Sequence, residues 1–244
     1  QGTRDLSVTK GNFSLSPVSS RYGSRIIEDN GRRIGYLNLR TFISSADPQL
    51  RTAVDQFRSS GISQFIIDFR YNGGGLISTA QLMGDLLGGN RSQSEVFSTT
   101  VFRPERSASN AIKRFNPQAQ SVSPLKIAFI TTGASASASE LVINSFVPYL
   151  GANLALIGGN SFGKPVGQIA VDQAACDDRL RVVAFSTRNA AGFDDYFNGL
   201  AASIGTTCQA ADDVTRPLGD AQEASVRTAL DFLAGRSCTP IVAG

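Results

Sequence analysis

The chain has 244 residues, of which 41% are hydrophobic, so it can build a substantial core and global disorder is not expected. Its 23 basic and 20 acidic residues leave a net charge of +3, which is too small to indicate a nucleic-acid or membrane-surface partner. The absence of histidine excludes Ser-His-Asp and Cys-His catalysis and nearly every catalytic zinc site.

The first predicted elements are strands and one helix. Apolar residues alternate along residues 6–18 in the manner of a strand. Residues 34–39 form a short apolar run after the Asn30-Gly31 turn signal, which predicts a buried strand. Asp47-Pro48 then opens a helix that ends at Ser60-Gly61. The chain therefore alternates strand and helix from its start.

The same alternation continues to about residue 160. We predict strands over 65–67, 127–130 and 154–158 and helices over 80–87 and 140–150. Between them, residues 90–124 are polar and weakly patterned, and we predict a partly ordered excursion outside the core. A hairpin over 168–171 and 179–186 and a last helix over 222–233 complete the chain. This order predicts an α/β fold with a largely parallel, buried sheet.

One candidate site is a run of small residues, 133–140, between a buried strand and a helix. The free N–H groups of a helix start can stabilise an oxyanion while a serine attacks a carbonyl carbon. The alternative is structural, because Ser137 to Glu140 has the spacing of a capping box.

A second candidate site surrounds Lys164, one of only four lysines in the chain. Glycines and apolar residues frame it directly after a buried strand. A lysine acts as a base near neutral pH only where its surroundings disfavour the charged form, and an apolar, glycine-lined loop is such a place. The alternative is an ordinary loop lysine whose ammonium group reaches solvent.

A third candidate site is the glycine-rich turn over 68–75. Glycines allow a loop to point its N–H groups at an anion. The turn lacks the spacing of a P-loop or a dinucleotide fingerprint, so a nucleotide site is not indicated. A tight strand-to-helix turn without a function is the alternative.

Together the three segments resemble the tail-specific, or C-terminal-processing, serine protease family. That family carries the motifs Asp-Leu-Arg-x-Asn-x-Gly-Gly, Ser-Ala-Ser-Ala-Ser-Glu and Phe-Gly-Lys-x-x-x-Gln, which match residues 68–75, 135–140 and 162–168 here. The resemblance implies a ClpP/crotonase-like α/β core of stacked ββα units, followed by a C-terminal β-hairpin and helix. It also implies a serine endopeptidase that acts on proteins and peptides, without a cofactor or metal.

The resemblance assigns roles to individual residues. Ser137 corresponds to the nucleophile, Lys164 to the general base and Gln168 to a residue that helps to hold the lysine. The oxyanion donors correspond to the N–H groups of Ala138 and of a glycine in the turn, for which we choose Gly74. Gly73 replaces the usual proline of that turn, and this leaves the choice between Gly74 and Gly75 open.

The resemblance also implies a domain organisation. Members of this family usually carry a PDZ domain before the protease core. We therefore expect residues 1–30 to be the end of a PDZ-like domain with its linker, and residues 31–240 to be the catalytic domain. Because the first residues do not resemble a signal peptide, we expect any export signal to lie upstream.

Cys176, Cys208 and Cys238 bear on the compartment. All three lie in polar, loop-like surroundings, which favours a disulfide in an oxidising space. Together with the resemblance, this predicts a periplasmic or otherwise extracytoplasmic protein. Three pairings are possible, and we favour Cys176–Cys208 because the hairpin and the following segment are expected to pack together.

Two other functions remain open at this point. A crotonase-like acyl-CoA enzyme would share the fold and the oxyanion hole without needing a Ser–Lys pair. A catalytically inactive homologue would keep only a peptide-binding groove.

Overall fold

The computed structural model describes residue 3 and residues 5–242. Residues 1, 2 and 4 of the predicted 1–30 segment lie outside the described residues. The strands are β1 (Ser24–Asp29), β2 (Arg32–Asn38), β3 (Gln64–Asp68), β4 (Val96–Phe102), β5 (Ala111–Arg114), β6 (Lys126–Thr131), β7 (Leu154–Gly158), β8 (Val166–Gln173), β9 (Asp178–Arg188) and β10 (Thr207–Gln209). The α-helices are α1 (Ala46–Ser59), α2 (Ile77–Leu87), α3 (Ala138–Leu150) and α4 (Ala224–Leu233).

The strands form two sheets. A six-stranded sheet has the order β1-β2-β3-β6-β7-β10, and all of its pairs are parallel except β1 with β2. A four-stranded antiparallel sheet has the order β5-β4-β9-β8. The predicted α/β fold with a mainly parallel sheet, a late hairpin and a last helix is confirmed.

The large sheet is covered on both faces because its strands are apolar on both. Alternate residues such as Phe65 and Ile67 pack with α1, α2 and α3, whereas Ile66 packs with α4. This double burial explains why the central strands are nearly continuous apolar runs. It also places the carboxyl ends of β3, β6 and β7 at one edge of the sheet, where ligand sites of α/β proteins gather.

Two predictions about the outer parts of the chain are wrong. The residues from Asp5 to Leu15 form no strand, and the alternating Leu6, Val8 and Phe13 are exposed instead of packing on a sheet. The polar stretch 90–124 is not an excursion, since it contains β4 and β5 and places Phe97 and Phe115 in the core.

The favoured disulfide is also wrong. The bond joins Cys208 to Cys238, and Cys176 is free and exposed at the tip of the β8–β9 hairpin. The tail runs beside β10, where the N–H of Gln209 donates to the carbonyl of Thr239 at 2.7 Å. Cys208 is therefore buried next to Cys238, while the hairpin that carries Cys176 belongs to the other sheet.

Across Thr3 and residues 5–242, no helix combines the length and the apolar character that crossing a membrane requires.

Candidate active site

The three predicted turns meet at one cavity of about 560 Å³, which is within the size range of ligand sites. Four of the five predicted site residues line it, namely Ser137, Ala138, Lys164 and Gln168. Gly74, the fifth, packs behind the first two, because a β-carbon placed on it would lie 2.8 Å from both Ser137 Cβ and Ala138 N. The fold thus brings together segments that are far apart in the sequence.

The serine run at the start of α3 contains one hydroxyl that faces the cavity. Ser135 Oγ donates to the carbonyl of Phe69 at 2.7 Å, and Ser139 Oγ donates to the carbonyl of Asn72 at 2.9 Å. Both of these serines are fully buried. Ser137 stands between them at φ 57°, a conformation that few non-glycine residues adopt, and its side chain lines the cavity.

Asn72 joins the glycine-rich turn to the serine turn. Its carbonyl accepts the Ser139 hydroxyl and also the N–H of Ala136 at 3.0 Å. Its side-chain Nδ2 donates to the carbonyl of Leu39 at 2.8 Å, and Oδ1 accepts the N–H of Gly74 at 2.9 Å. Because Asn72 is fully buried, these bonds fix the two turns against each other.

The two glycines of the turn differ in what their N–H groups do. The N–H of Gly74 is committed to Asn72 Oδ1, so it does not face the cavity. Gly75 lines the cavity, and its N–H has no acceptor among the described residues. Gly75 adopts φ 142° and lies so close to Phe42 that a β-carbon would come within 2.1 Å of that carbonyl oxygen, which explains the need for glycine.

Glu140 ties the serine turn to the lysine loop. Its buried carboxylate accepts the N–H groups of Ser137 at 2.8 Å, Gly163 at 2.7 Å and Lys164 at 2.8 Å. The predicted capping contact is thus present, and the same carboxylate also holds the backbone of the candidate base. Burial, reinforced by the Glu140 charge, raises the pKa of Tyr196, so that phenol stays neutral beside the loop.

The lysine loop is fixed by close backbone packing. Gly163 adopts φ 95° against the carbonyl of Phe197, where a β-carbon would come within 2.3 Å. The N–H of Phe162 donates to the carbonyl of Ser135 at 2.9 Å, which anchors the loop to the serine turn. Lys164 is half-buried and makes no ion pair within residues 5–242.

Gln168 lies at the start of the hairpin, on the wall of the same cavity. Its side chain is exposed and makes no hydrogen bond to Lys164 in the described part of the chain. The supporting role that the resemblance assigns to Gln168 therefore stays a prediction.

A buried ionic network holds the first residues of the glycine-rich turn. Arg70 pairs with Asp68 at 2.7 Å and with Glu223 at 2.9 Å, and Tyr36 donates to Asp68 at 2.7 Å. Burial opposes the charge of Arg70, but hydrogen bonds and Coulomb attraction from Asp68 and Glu223 raise its pKa above the ordinary value. The network fastens the start of α4 to the turn, because Glu223 also accepts the N–H groups of Ser225 and Val226.

Sequence reasoning missed the connecting roles of Asn72 and Glu140 and the position of Arg181 in the cavity wall. Asn72 lies within the quoted glycine-rich motif and Glu140 within the capping box, so both had a local signal. Arg181 had none beyond its place in a predicted hairpin strand.

Comparison with known proteins identifies the family. The sequence model of peptidase family S41 matches residues 33–196, which is most of the chain. The chain belongs to peptidase family S41. The predicted recognition as a C-terminal-processing serine protease family member is therefore confirmed, as is membership of a family of enzymes.

Relatives of this S41 chain are similar over only part of their length. A carboxyl-terminal-processing protease of Picosynechococcus sp. is 26% identical over 66% of this chain and 35% of its own. The chloroplastic carboxyl-terminal-processing peptidase 3 of Arabidopsis thaliana is 28% identical over 67% of this chain and 30% of its own. The S41 chain thus spans about a third of the length of these curated relatives.

A crystal structure of a Bacteroides fragilis protein assigned to the S41 proteases has the same fold. It superposes with a TM-score of 0.80 at 27% identity, covering 91% of this chain and 59% of that one.

Proposed function

We propose that this chain is a serine endopeptidase with Ser137 as the nucleophile and Lys164 as the general base. The observation that carries the proposal is that the three serines differ in what their side chains contact. The hydroxyls of Ser135 and Ser139 donate to backbone carbonyls, whereas Ser137 lines the same cavity as Lys164. Membership of a peptidase family supports the same reaction.

The chemistry follows from these positions. Ser137 Oγ attacks the peptide carbonyl carbon while its proton passes to Nζ of Lys164, which acts as the general base. The tetrahedral intermediate collapses, the C–N bond breaks and Lys164 returns the proton to the leaving amine. Water then attacks the acyl-enzyme, again with Lys164 as base, and restores the Ser137 hydroxyl.

The oxyanion of the intermediate needs donors that are free in the resting site. We propose the N–H of Ala138, the first residue of α3, as one donor, because it has no acceptor among the described residues and lies at the positive end of the helix. The second donor belongs to the Gly74–Gly75 turn. Gly75 is the better candidate than the predicted Gly74, whose N–H is already bonded.

Substrate and setting are proposed from the relatives. Because the curated relatives are named carboxyl-terminal-processing proteases, we propose that the substrates are proteins or peptides cut near their C-termini. An upstream PDZ-like domain, ending within residues 1–30, would recruit them. The Cys208–Cys238 disulfide supports an oxidising, extracytoplasmic compartment such as the periplasm.

Hydrolysis of a peptide mixture by Ser137→Ala and Lys164→Ala tests the dyad. Each change should lower kcat by at least about a thousandfold, because nucleophile and base act as a unit. Lys10→Ala is the matched control and should keep wild-type activity, since Lys10 is exposed and does not line the cavity. The proposal fails if Ser137→Ala, shown to be folded by circular dichroism, still hydrolyses the peptides. A wild type that hydrolyses no peptide would instead favour the crotonase-like or the inactive alternative.

Counting free thiols in the denatured, non-reduced protein tests the compartment. One reactive thiol is expected, from Cys176, because the other two cysteines are bonded. Cys176→Ser should then show none. Three reactive thiols in protein purified without reductant would remove the support for an oxidising compartment.

A further inference from the structure

The cavity at Ser137 contains a second basic side chain, besides Lys164, that the dyad does not use. Arg181, on β9, lines the cavity together with Ser137 and Lys164. Among the described residues that line it there is no aspartate or glutamate. The described part of the cavity wall therefore carries two basic side chains, Lys164 and Arg181, and no acidic one.

The register of the β8–β9 hairpin shows why this arginine has no internal counter-ion. Arg179 stands opposite Asp172 and forms an ion pair with it, with contacts of 2.5 and 3.0 Å. Arg181 is on the same face, since alternate residues of a strand share a face, but it stands opposite Ala170. Within residues 5–242, its guanidinium makes neither an ion pair nor a side-chain hydrogen bond.

We propose that Arg181 binds a carboxylate of the peptide substrate close to the bond that is cleaved, either an acidic side chain or the C-terminal α-carboxylate. This inference rests on the proposed peptidase function. A guanidinium presents a planar fork of N–H donors that matches a carboxylate in two parallel hydrogen bonds. Phe42, Leu76 and Leu141 also line the cavity, so apolar residues next to the carboxylate should bind there as well.

The position of Arg181 fits a role in selecting substrates. Arg181 pairs with Ala170, two residues along β8 from Gln168, and both Gln168 and Arg181 face the cavity. A peptide lying over Ser137 therefore meets the guanidinium within a few residues of its reactive carbonyl. Arg181 is exposed, so it can reach a bound peptide without disturbing the core.

Binding to the Ser137→Ala chain tests the proposal without turnover. The probes are a short Ala/Leu peptide with one central Glu, its Gln counterpart, and the free-acid and amide forms of each. If the carboxylate is a side chain, the Glu amide should bind about tenfold more tightly than the Gln amide. If it is the α-carboxylate, the Gln free acid should bind about tenfold more tightly than the Gln amide.

Arg181→Gln in the same background should abolish that preference and leave the affinity for the Gln amide unchanged. Arg179→Gln is the matched control, because this arginine lies on the same face but already has a partner, and the preference should survive. Equal affinity for all four peptides would overturn the proposal. So would a loss of affinity for the neutral and anionic peptides alike in Arg181→Gln.

Hydrolysis by the chain with Ser137 intact separates this proposal from the proposed function. If the Gln amide is cut by the wild type and not by Ser137→Ala, the peptidase function holds whatever Arg181 does. In Arg181→Gln, kcat/KM should fall about tenfold for the carboxylate peptide only, through KM. A fall in kcat for every peptide would instead assign Arg181 to the reaction centre and contradict carboxylate binding.

Discussion

The turns around Ser137 and the β8–β9 hairpin form two walls of one cavity, but they are held in different ways. The serine and glycine turns are anchored by two buried residues, Asn72 and Glu140, whose hydrogen bonds join the turns to each other and to the lysine loop. The hairpin is largely exposed, and its ion pair between Arg179 and Asp172 lies in solvent. From this difference we expect changes in the turns to alter mainly kcat, and changes in the hairpin to alter mainly which peptides bind.

The largest effect that this comparison predicts belongs to Glu140→Gln. The amide keeps the shape but replaces one acceptor oxygen by a donor, so at least one of the three N–H groups loses its acceptor. We expect kcat to fall by about a hundredfold, because Ser137 and Lys164 shift relative to each other. The free energy of unfolding should also fall, by about 1–3 kcal/mol for each unpaired N–H group.

Glu223→Gln is the control for this change. Glu223 is also a buried carboxylate that accepts N–H groups at a helix start, but it lies outside the cavity. It should lower the free energy of unfolding and lower kcat much less. Equal losses of kcat in the two variants would show that the turn at Ser137 has no special dependence on Glu140.

A smaller effect is expected for Asn72→Ala, which removes the side-chain bonds to Leu39 and Gly74. The glycine turn should loosen and kcat should fall by about ten- to a hundredfold with little change in KM. Asn38→Ala is the control, since Asn38 is equally buried but bonds to the carbonyl of Asp68 away from the cavity. A change in KM alone would place Asn72 in substrate binding instead.

The smallest effect among these positions is expected for Gln168→Ala. Because Gln168 is exposed and not bonded to Lys164, its loss should cost about 1 kcal/mol of transition-state stabilisation, or about fivefold in kcat/KM. Gln173→Ala, at the far end of β8, should have no effect. A loss of a hundredfold in Gln168→Ala would mean that the hairpin belongs to the reaction centre, and the contrast between the two walls would disappear.

The elements that can be predicted from the sequence are those in which a run of consecutive apolar residues indicates burial. The strands β3, β6 and β7 are apolar on both faces because helices cover both sides of their sheet. In contrast, β4 and β5 escape prediction because three polar residues, Ser98 to Thr100, interrupt the apolar residues of β4 and because β5 has only four residues. Their sheet is completed by the pairing of β4 with β9, which is far away in the sequence. Cys208 was misjudged for the same reason, since its burial depends on pairing with β7.

The candidate site divides in the same way. The serine run and Lys164 are predicted because each lies in a short motif after a predicted strand, and the family resemblance singles out Ser137, Ala138 and Gln168 within these motifs. The roles of Asn72 and Glu140 in joining segments of the site could not be predicted. They consist of hydrogen bonds between segments that lie tens of residues apart in the sequence. Arg181 became a candidate only once the hairpin register showed which arginine has an acidic neighbour and which does not.

Covalent labelling with a fluorophosphonate, followed by peptide mapping, tests the central claim most directly. The account predicts a single adduct on Ser137, formed much more slowly in Lys164→Ala and at the wild-type rate in Lys10→Ala. An adduct on Ser135 or Ser139, or labelling of Ser137 that is equally fast without Lys164, would contradict the dyad.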